Sequence, residues 1–270
     1  MRQIQRVRFA ARAVVVLVSA AGVSACDVMV NTMHGGREQA QQTWTRTYTL
    51  AGTGAAVEIV NVNGTFDVEA VDGSSLEVKA ILTARGATED DAKATLAKVE
   101  MVDQADASRV RLQAKYPREL GRHGIEVNYT ILAPRSARVS IENTNGHVTV
   151  KGVFAGLKAE TTNGAVHGEG LGNSVVATTT NGEIKIRMSS MGGDGVALET
   201  TNGGIDLRLP ADAKATLSAR CVNGGIKVAD LPFEKSGEGS RRKLDGAING
   251  GGAAVRLETV NGSIRVGGAT

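Results

Sequence analysis

The sequence predicts an all-β fold: β-solenoid-like coils of 18–21 residues stacked behind a strand-rich N-terminal cap. Three observations predict it. Seven Asn-Gly pairs share one repeated context, led by Asn63, Asn145, Asn163, Asn181, Asn202, Asn223 and Asn261. From the second to the sixth the steps are 18, 18, 21 and 21 residues, a period that marks a repeat architecture. Around each Asn, apolar residues alternate strictly with polar ones. Val139, Leu157, Val175, Val196 and Leu217 stand six before, and Val148, Val166, Ile184, Ile205 and Ile226 stand three after. Period-two alternation means strands with one buried and one wet face.

Taken in order, residues 1–26 read as a secretory signal peptide. Arg2, Arg6, Arg8 and Arg12 form the basic region, and Ala13–Ala21 is an apolar run too short to span a bilayer. It ends in Val23-Ser24-Ala25-Cys26, which resembles the bacterial lipobox and implies lipidation of Cys26 as the mature first residue. The chain is then expected to be exported and held on the bacterial cell membrane by acyl chains. Residues 27–45, with Gln39, Gln41, Gln42 and Thr43, read as a polar tether containing His34.

Residues 46–137 form the expected cap. They hold one repeat-like arch around Asn63, then strands over Leu76–Leu82, Arg109–Ala114 and Ile125–Leu132. A helix is expected over residues 88–100, with Thr88 as N-cap, three acids in its first turn, and Ala92, Leu96 and Val99 on one face. Residues 138–270 form the repeat domain. In each unit Asn-Gly is expected to supply the positive φ of a tight turn. Two residues before the Asn the side chain is small (Asn61, Asn143, Thr161, Thr179, Thr200, Cys221, Thr259), as close stacking requires.

Two folds satisfy the pattern. In a solenoid the Asn side chains line up as a hydrogen-bonded ladder; in an antiparallel hairpin meander or sandwich each Asn-Gly is a type I′ turn. The near-identical chemistry of successive units favours stacking. The 38-residue step from Asn223 to Asn261 reads as one degenerate coil carrying an exposed basic loop over residues 234–245.

The repeated Thr-Thr-Asn-Gly, the Val60-Asn61-Val62-Asn63-Gly64 opening, Leu231-Pro232-Phe233, the Gly250–Gly252 run and the closing Glu258–Ile264 segment resemble a bacterial family, domain of unknown function 4097. Its members carry the name "putative adhesin" and have β-strand repeats. The resemblance covers roughly residues 46–270. It implies the fold and a surface role, and it brings no catalytic or binding residues with it.

Composition narrows the function. The precursor carries 31 Lys and Arg against 28 Asp and Glu; without the four signal-peptide arginines the balance is 27 to 28. With aromatics at 3%, nucleic acid is not an expected partner. No disulfide framework, metal spacing or cofactor motif is present, and Cys221 reads as a buried, inert thiol. Glu142 and Glu160, neighbours if coils stack, are the one candidate Ca²⁺ pair, set against a plain solvated face. His147 and His167 are in different registers, and His123 lies in a Gly-flanked turn. The expected function is therefore non-enzymatic: a lipid-anchored envelope module contacting a protein or glycan. The alternatives are a solenoid lyase or hydrolase acting on envelope polysaccharide, and a scaffold or sensor in an envelope stress pathway.

Overall fold

The alternating segments become strands, and each Asn-Gly becomes a corner between two sheets. The computed structural model describes residues 28–33, 37–117, 124–238 and 240–269. The segment expected to be a signal peptide, with Cys26, lies outside the described residues, as do His34 and His123. The N-terminal part contains β1 (Val28–Met33), β2 (Arg37–Thr49), β3 (Ala56–Val60), β4 (Phe66–Val71), β5 (Ser75–Gly86), α1 (Glu89–Leu96), β6 (Glu100–Ala105), β7 (Arg109–Lys115) and β8 (Ile125–Pro134). The repeats give β9 (Arg138–Asn145), β10 (Val148–Lys151), β11 (Gly156–Asn163), β12 (Val166–Leu171), β13 (Val175–Asn181), β14 (Ile184–Met188), β15 (Val196–Asn202), β16 (Ile205–Leu209), β17 (Ala215–Asn223) and β18 (Ile226–Ala229). The chain closes with β19 (Phe233–Lys235), β20 (Lys243–Ile248), β21 (Ala253–Asn261) and β22 (Ile264–Gly268).

Two eleven-stranded sheets result. Sheet I has the order β1-β2-β5-β8-β4-β10-β12-β14-β16-β22-β18, and sheet II the order β19-β20-β17-β21-β15-β13-β11-β9-β3-β7-β6. Strands flanking each of the seven repeat Asn-Gly pairs lie in different sheets, so these pairs are solenoid corners and not hairpin turns. Repeat strands pair in parallel and in register: Val148 beside Val166, Val166 beside Ile184, Ile184 beside Ile205. Like residues thus stack into columns whose inner faces share one apolar core. Phe66 and Tyr129 stack within it, ring centroids 4.8 Å apart.

Four expectations are corrected. First, the rungs do not stack in chain order. The last one (β21/β22) sits between β15/β16 and β17/β18, and no degenerate coil fills the 38-residue step. That stretch is instead β19 and β20, an antiparallel pair laid on the outer edge of β17, and the described residues between them, 236–238 and 240–242, are exposed. Second, part of the expected tether is sheet: β1 pairs with β2, and β2 runs antiparallel to β5 over Glu38–Thr49. Third, the helix is shorter than residues 88–100. Thr88 caps it, accepting from the Asp91 N–H at 3.2 Å, and Ala92 and Leu96 are its buried face. Lys98 and Val99 then turn off it through bonds to Thr95 and Leu96 carbonyls, leading directly into β6.

Fourth, the turn glycines are required mainly by proximity. Gly164, Gly182, Gly203 and Gly262 lie outside the positive-φ region that Gly64, Gly146 and Gly224 occupy. At Gly182 a Cβ would stand 1.9 Å from the Gly164 carbonyl oxygen, and the other six meet an equally close backbone oxygen. The next rung occupies the space a side chain would need.

Gly168, the one break in the apolar columns, has its place filled from within its own strand. A Cβ there would lie 2.5 Å from Leu171 Cδ1. Pairing of β12 with β14 slips between Gly168 and Leu171, so Leu171 faces inward beside Met188. The extra residues form a bulge, with Gly170 at φ 64°.

Candidate interaction surface

The corner ridge comes from the repeat itself. Asn145 donates its side-chain amide to Asn63 Oδ1 at 2.7 Å, Asn163 to Asn145 at 2.8 Å, and Asn181 to Asn163 at 2.8 Å. Asn202 donates to Asn181 at 2.8 Å, Asn261 to Asn202 at 2.7 Å, and Asn223 to Asn261 at 2.8 Å. All seven asparagines therefore form one ladder along the edge. The backbone runs the other way: Gly146 N–H donates to Asn163 O, and Gly164 N–H to Asn181 O. Behind the ladder, the buried Thr179, Thr200 and Thr259 hydroxyls each donate to the glycine carbonyl of the adjoining rung at 2.9 Å. The small column therefore does more than leave room, because it satisfies carbonyls that the stack buries.

Cys221 holds the threonine position in the outermost rung. It is buried, and burial pushes its thiol pKa up, consistent with an inert group.

Glu142 and Glu160 are register partners on the outer face of sheet II, beside a shallow groove of about 460 Å³. Glu160 takes an ion pair from Lys158 at 2.9 Å, which holds the lysine above its usual pKa. Among the described residues no group of three or more His, Cys, Asp or Glu side chains could hold a metal ion. Two carboxylates, one already neutralised, supply little of the six to eight oxygens that Ca²⁺ takes. Glu199 stands across Thr178 from Glu160, with Glu258 on its far side.

Sheet I carries a second groove, of about 490 Å³, on its outer face beside the β12 bulge. Lys151, Lys185, Arg187 and Arg208 line it, with Glu169 and Asp206. Arg187 lies directly beside Arg208 on the neighbouring strand. Asp206 pairs with Arg208 at 2.9 Å. Glu183 accepts from both Lys185 (2.5 Å) and His167 (3.1 Å), contacts that keep its pKa below the usual carboxylate range. His147 is turned to another task, its Nδ1 accepting from the Ala165 N–H at 3.0 Å.

The sequence reading missed this groove, although its signal was present. Lys151, Glu169, Arg187 and Arg208 all stand six residues after their asparagines.

Residues 126–267, just over half of the chain, match the family described as Toastrack DUF4097. The chain belongs to this family. The Toastrack match spans β8 and the rungs from β9/β10 to the C-terminal β21/β22, while the β3/β4 rung that lies between β8 and β10 precedes it in the chain. No curated protein matches the chain. Among solved structures, a "putative cell adhesion protein" from Clostridium sporogenes ATCC 15579 is 13% identical, with 84% of this chain and 100% of that one covered, at a TM-score of 0.47. A "putative adhesin" from Bacteroides fragilis NCTC 9343 is 12% identical over 83% and 96% of the two chains, with a TM-score of 0.35. A "putative lipid binding protein" from Parabacteroides distasonis ATCC 8503 is 8% identical over 84% and 97%, with a TM-score of 0.24. At such values these neighbours carry no argument about this Toastrack protein's activity. No helix among its described residues is long and apolar enough to cross a membrane.

Proposed function

We propose that this chain is a lipid-anchored, non-enzymatic module of the bacterial cell envelope that presents a rigid polar surface to a protein or glycan. The observation that carries the reading is the in-register stack. Inward positions are given over to apolar packing, and the chemistry-bearing side chains stand on broad outer faces. Such a framework suits contact over many rungs better than convergence of acid, base and nucleophile on one reacting atom. The lipobox-like segment ending at Cys26 supports the anchor, which keeps the module at the membrane on the extracytoplasmic side.

Mass spectrometry of the mature N-terminus tests the anchor: diacylated Cys26 is expected, and an unmodified first residue overturns it. Pull-down from detergent-solubilised envelope, with the full protein and with Arg241→Gln/Arg242→Gln in the exposed part of residues 234–245, tests for the partner; a captured protein or glycan supports the reading, and failure to capture either overturns it. Release of reducing or unsaturated ends from purified envelope glycans would replace this reading with an enzymatic one. Saturating Ca²⁺ is expected to leave Tm unchanged; a rise of several degrees would assign the Glu142–Glu160 pair an ion.

A further inference from the structure

The outer faces of the two sheets differ in charge. From β10 to β18 the outward positions of sheet I hold Lys151, Lys185, Arg187, Arg208, Arg265 and Lys227. Only Glu169 and Asp206 oppose them on those strands. The matching face of sheet II sets Glu142, Glu160, Glu199 and Glu258 against Arg138, Lys158, Arg256 and Arg220. The positive excess is therefore local to the outer face of the later rungs: Glu183 pairs with Lys185, and Asp67 and Glu69 on β4 bound the patch on its other side.

The excess centres on the groove beside the β12 bulge. Like charges side by side on adjacent strands destabilise a sheet, and Arg187 beside Arg208 is such a pair. Asp206 relieves Arg208 at 2.9 Å. Among the described residues, Arg187 and Lys151 make no ion pair. Lys151 stands on the rim between two carboxylates, Glu169 on one side and Glu69 on the other, whereas Arg187 has no acid directly beside it on β12 or β16 other than Glu169 at the bulge.

We propose that this groove binds an anionic polysaccharide, with the adjacent Arg187 and Arg208 holding its acidic groups. Guanidinium groups present planar donor forks that match carboxylate, sulfate and phosphate oxygens. A polymer lying along the stack axis follows a side-chain column and meets a new rung about every 4.8 Å, the scale of one sugar residue. The surface disfavours other polyanions. Among the described residues the exposed large apolar side chains, Val62, Val222 and Val260, lie on the corner ridge and not on this face, so the groove offers polar contacts and no apolar wedge of its own. Aromatic stacking platforms for bases are scarce. The proposal rests on reading the chain as an interaction module and narrows its partner.

The test is titration calorimetry of the mature protein at low salt with polygalacturonate, heparin and a phosphodiester-linked teichoic acid, and with neutral dextran as control. At least one acidic polymer should bind, more weakly as salt rises. Arg187→Gln with Arg208→Gln should weaken that binding about tenfold or more. Arg187→Lys alone should retain most of it, and Arg241→Gln with Arg242→Gln should leave it within about twofold. Tm measurements establish that the variants fold. The proposal is overturned if no acidic polymer binds, if dextran binds equally well, or if the groove and loop variants lose binding alike. It is also overturned if anionic phospholipid vesicles bind in a groove-dependent way in place of the glycans. Any of these failures leaves the envelope-module reading standing, since that depends on Cys26 and the pull-down.

Discussion

Asn261 donates its side-chain amide to Asn202 at 2.7 Å, and Asn223, nearer to Asn202 in sequence, donates to Asn261 instead. The ladder is therefore out of chain order at its far end. The outermost rung is β17/β18, and the β20 strand covers the exposed edge of β17. The Arg241 and Arg242 carbonyls accept from Ile226 and Cys221 N–H groups. Only after this cover is laid does the chain return to fill the slot beneath. The N-terminal end is built alike: β3/β4 lies between β9/β10 and the later β7/β8. At both ends an edge that would template pairing is closed by strand or loop.

The inserted rung should act as a keystone. Leu257 is fully buried in β21. Leu257→Asp places a charge there at a cost of several kcal/mol. Hydrogen exchange should then show lost protection in residues 215–229 together with 253–268, while 138–188 stays protected. Rungs stacked in chain order would lose the final unit alone. Retained protection across 215–229 would therefore contradict the observed order.

The turn glycines give a second contrast. Gly182→Ala puts a methyl 1.9 Å from the Gly164 oxygen and forces two rungs apart. It should cost about 3 kcal/mol or more in urea denaturation. Gly225 lies outside the positive-φ region with nothing within 4 Å of its would-be Cβ. Gly225→Ala should change stability by less than about 1 kcal/mol in either direction. Equal effects would mean that conformational freedom, not proximity, fixes these positions.

The parity of each strand, the corner at each Asn-Gly and the parallel stacking were legible because the physics is local and repeated. Val175, Ala177 and Ile184 face inward for the reason their counterparts do. Rung order was not legible. Leu257 and Ala219 fit the same column, as do Thr259 and Cys221, so no local preference ranks one rung before another. Residues 37–45 misled through their polarity. Gln39 and Ala40 are nonetheless buried, because β2 is paired on one side with β5 and on the other with β1. The groove on sheet I was half visible. Gly168 signalled an irregularity, but the bulge depends on Leu171 replacing the missing side chain, a tertiary fact.

Alkaline pH should expose the tyrosines. Tyr48 donates its hydroxyl to Asp103 Oδ2 at 2.8 Å, joining β2 to β6 across the sheets. Burial foremost, then the hydrogen bond and the charge of Asp103, raise its pKa far above the ordinary tyrosine value. Burial against Phe66 raises Tyr129 as well. Both favour the neutral phenol in the fold, so their contribution is full below about pH 10 and falls as pH rises beyond it. Tyr48→Phe should cost about 1 kcal/mol at pH 7 and flatten the alkaline loss. Denaturation midpoints at pH 7 and about pH 11 check this. An alkaline slope equal to that of the parent would sink it.

Cys221 is the test of the threonine column. In the inner rungs a threonine hydroxyl donates to the adjoining glycine carbonyl, as Thr200 does to Gly182 and Thr259 to Gly203. In the β17 rung the equivalent acceptor is the Gly262 oxygen, the atom nearest a would-be Cβ on Gly224. The Cys221 sulfur instead lies 3.9 Å from the Arg241 oxygen, and a thiol is a weak donor. Cys221→Thr should therefore complete the column. The added hydrogen bond contributes about 1 kcal/mol, offset in part by fitting one more methyl group. Tm should hold or rise by a few degrees, whereas Cys221→Val, similar in shape but without a donor, should fall below it. If the valine variant matches or exceeds the threonine one, the hydroxyl contacts of this column are not what stabilises the stack.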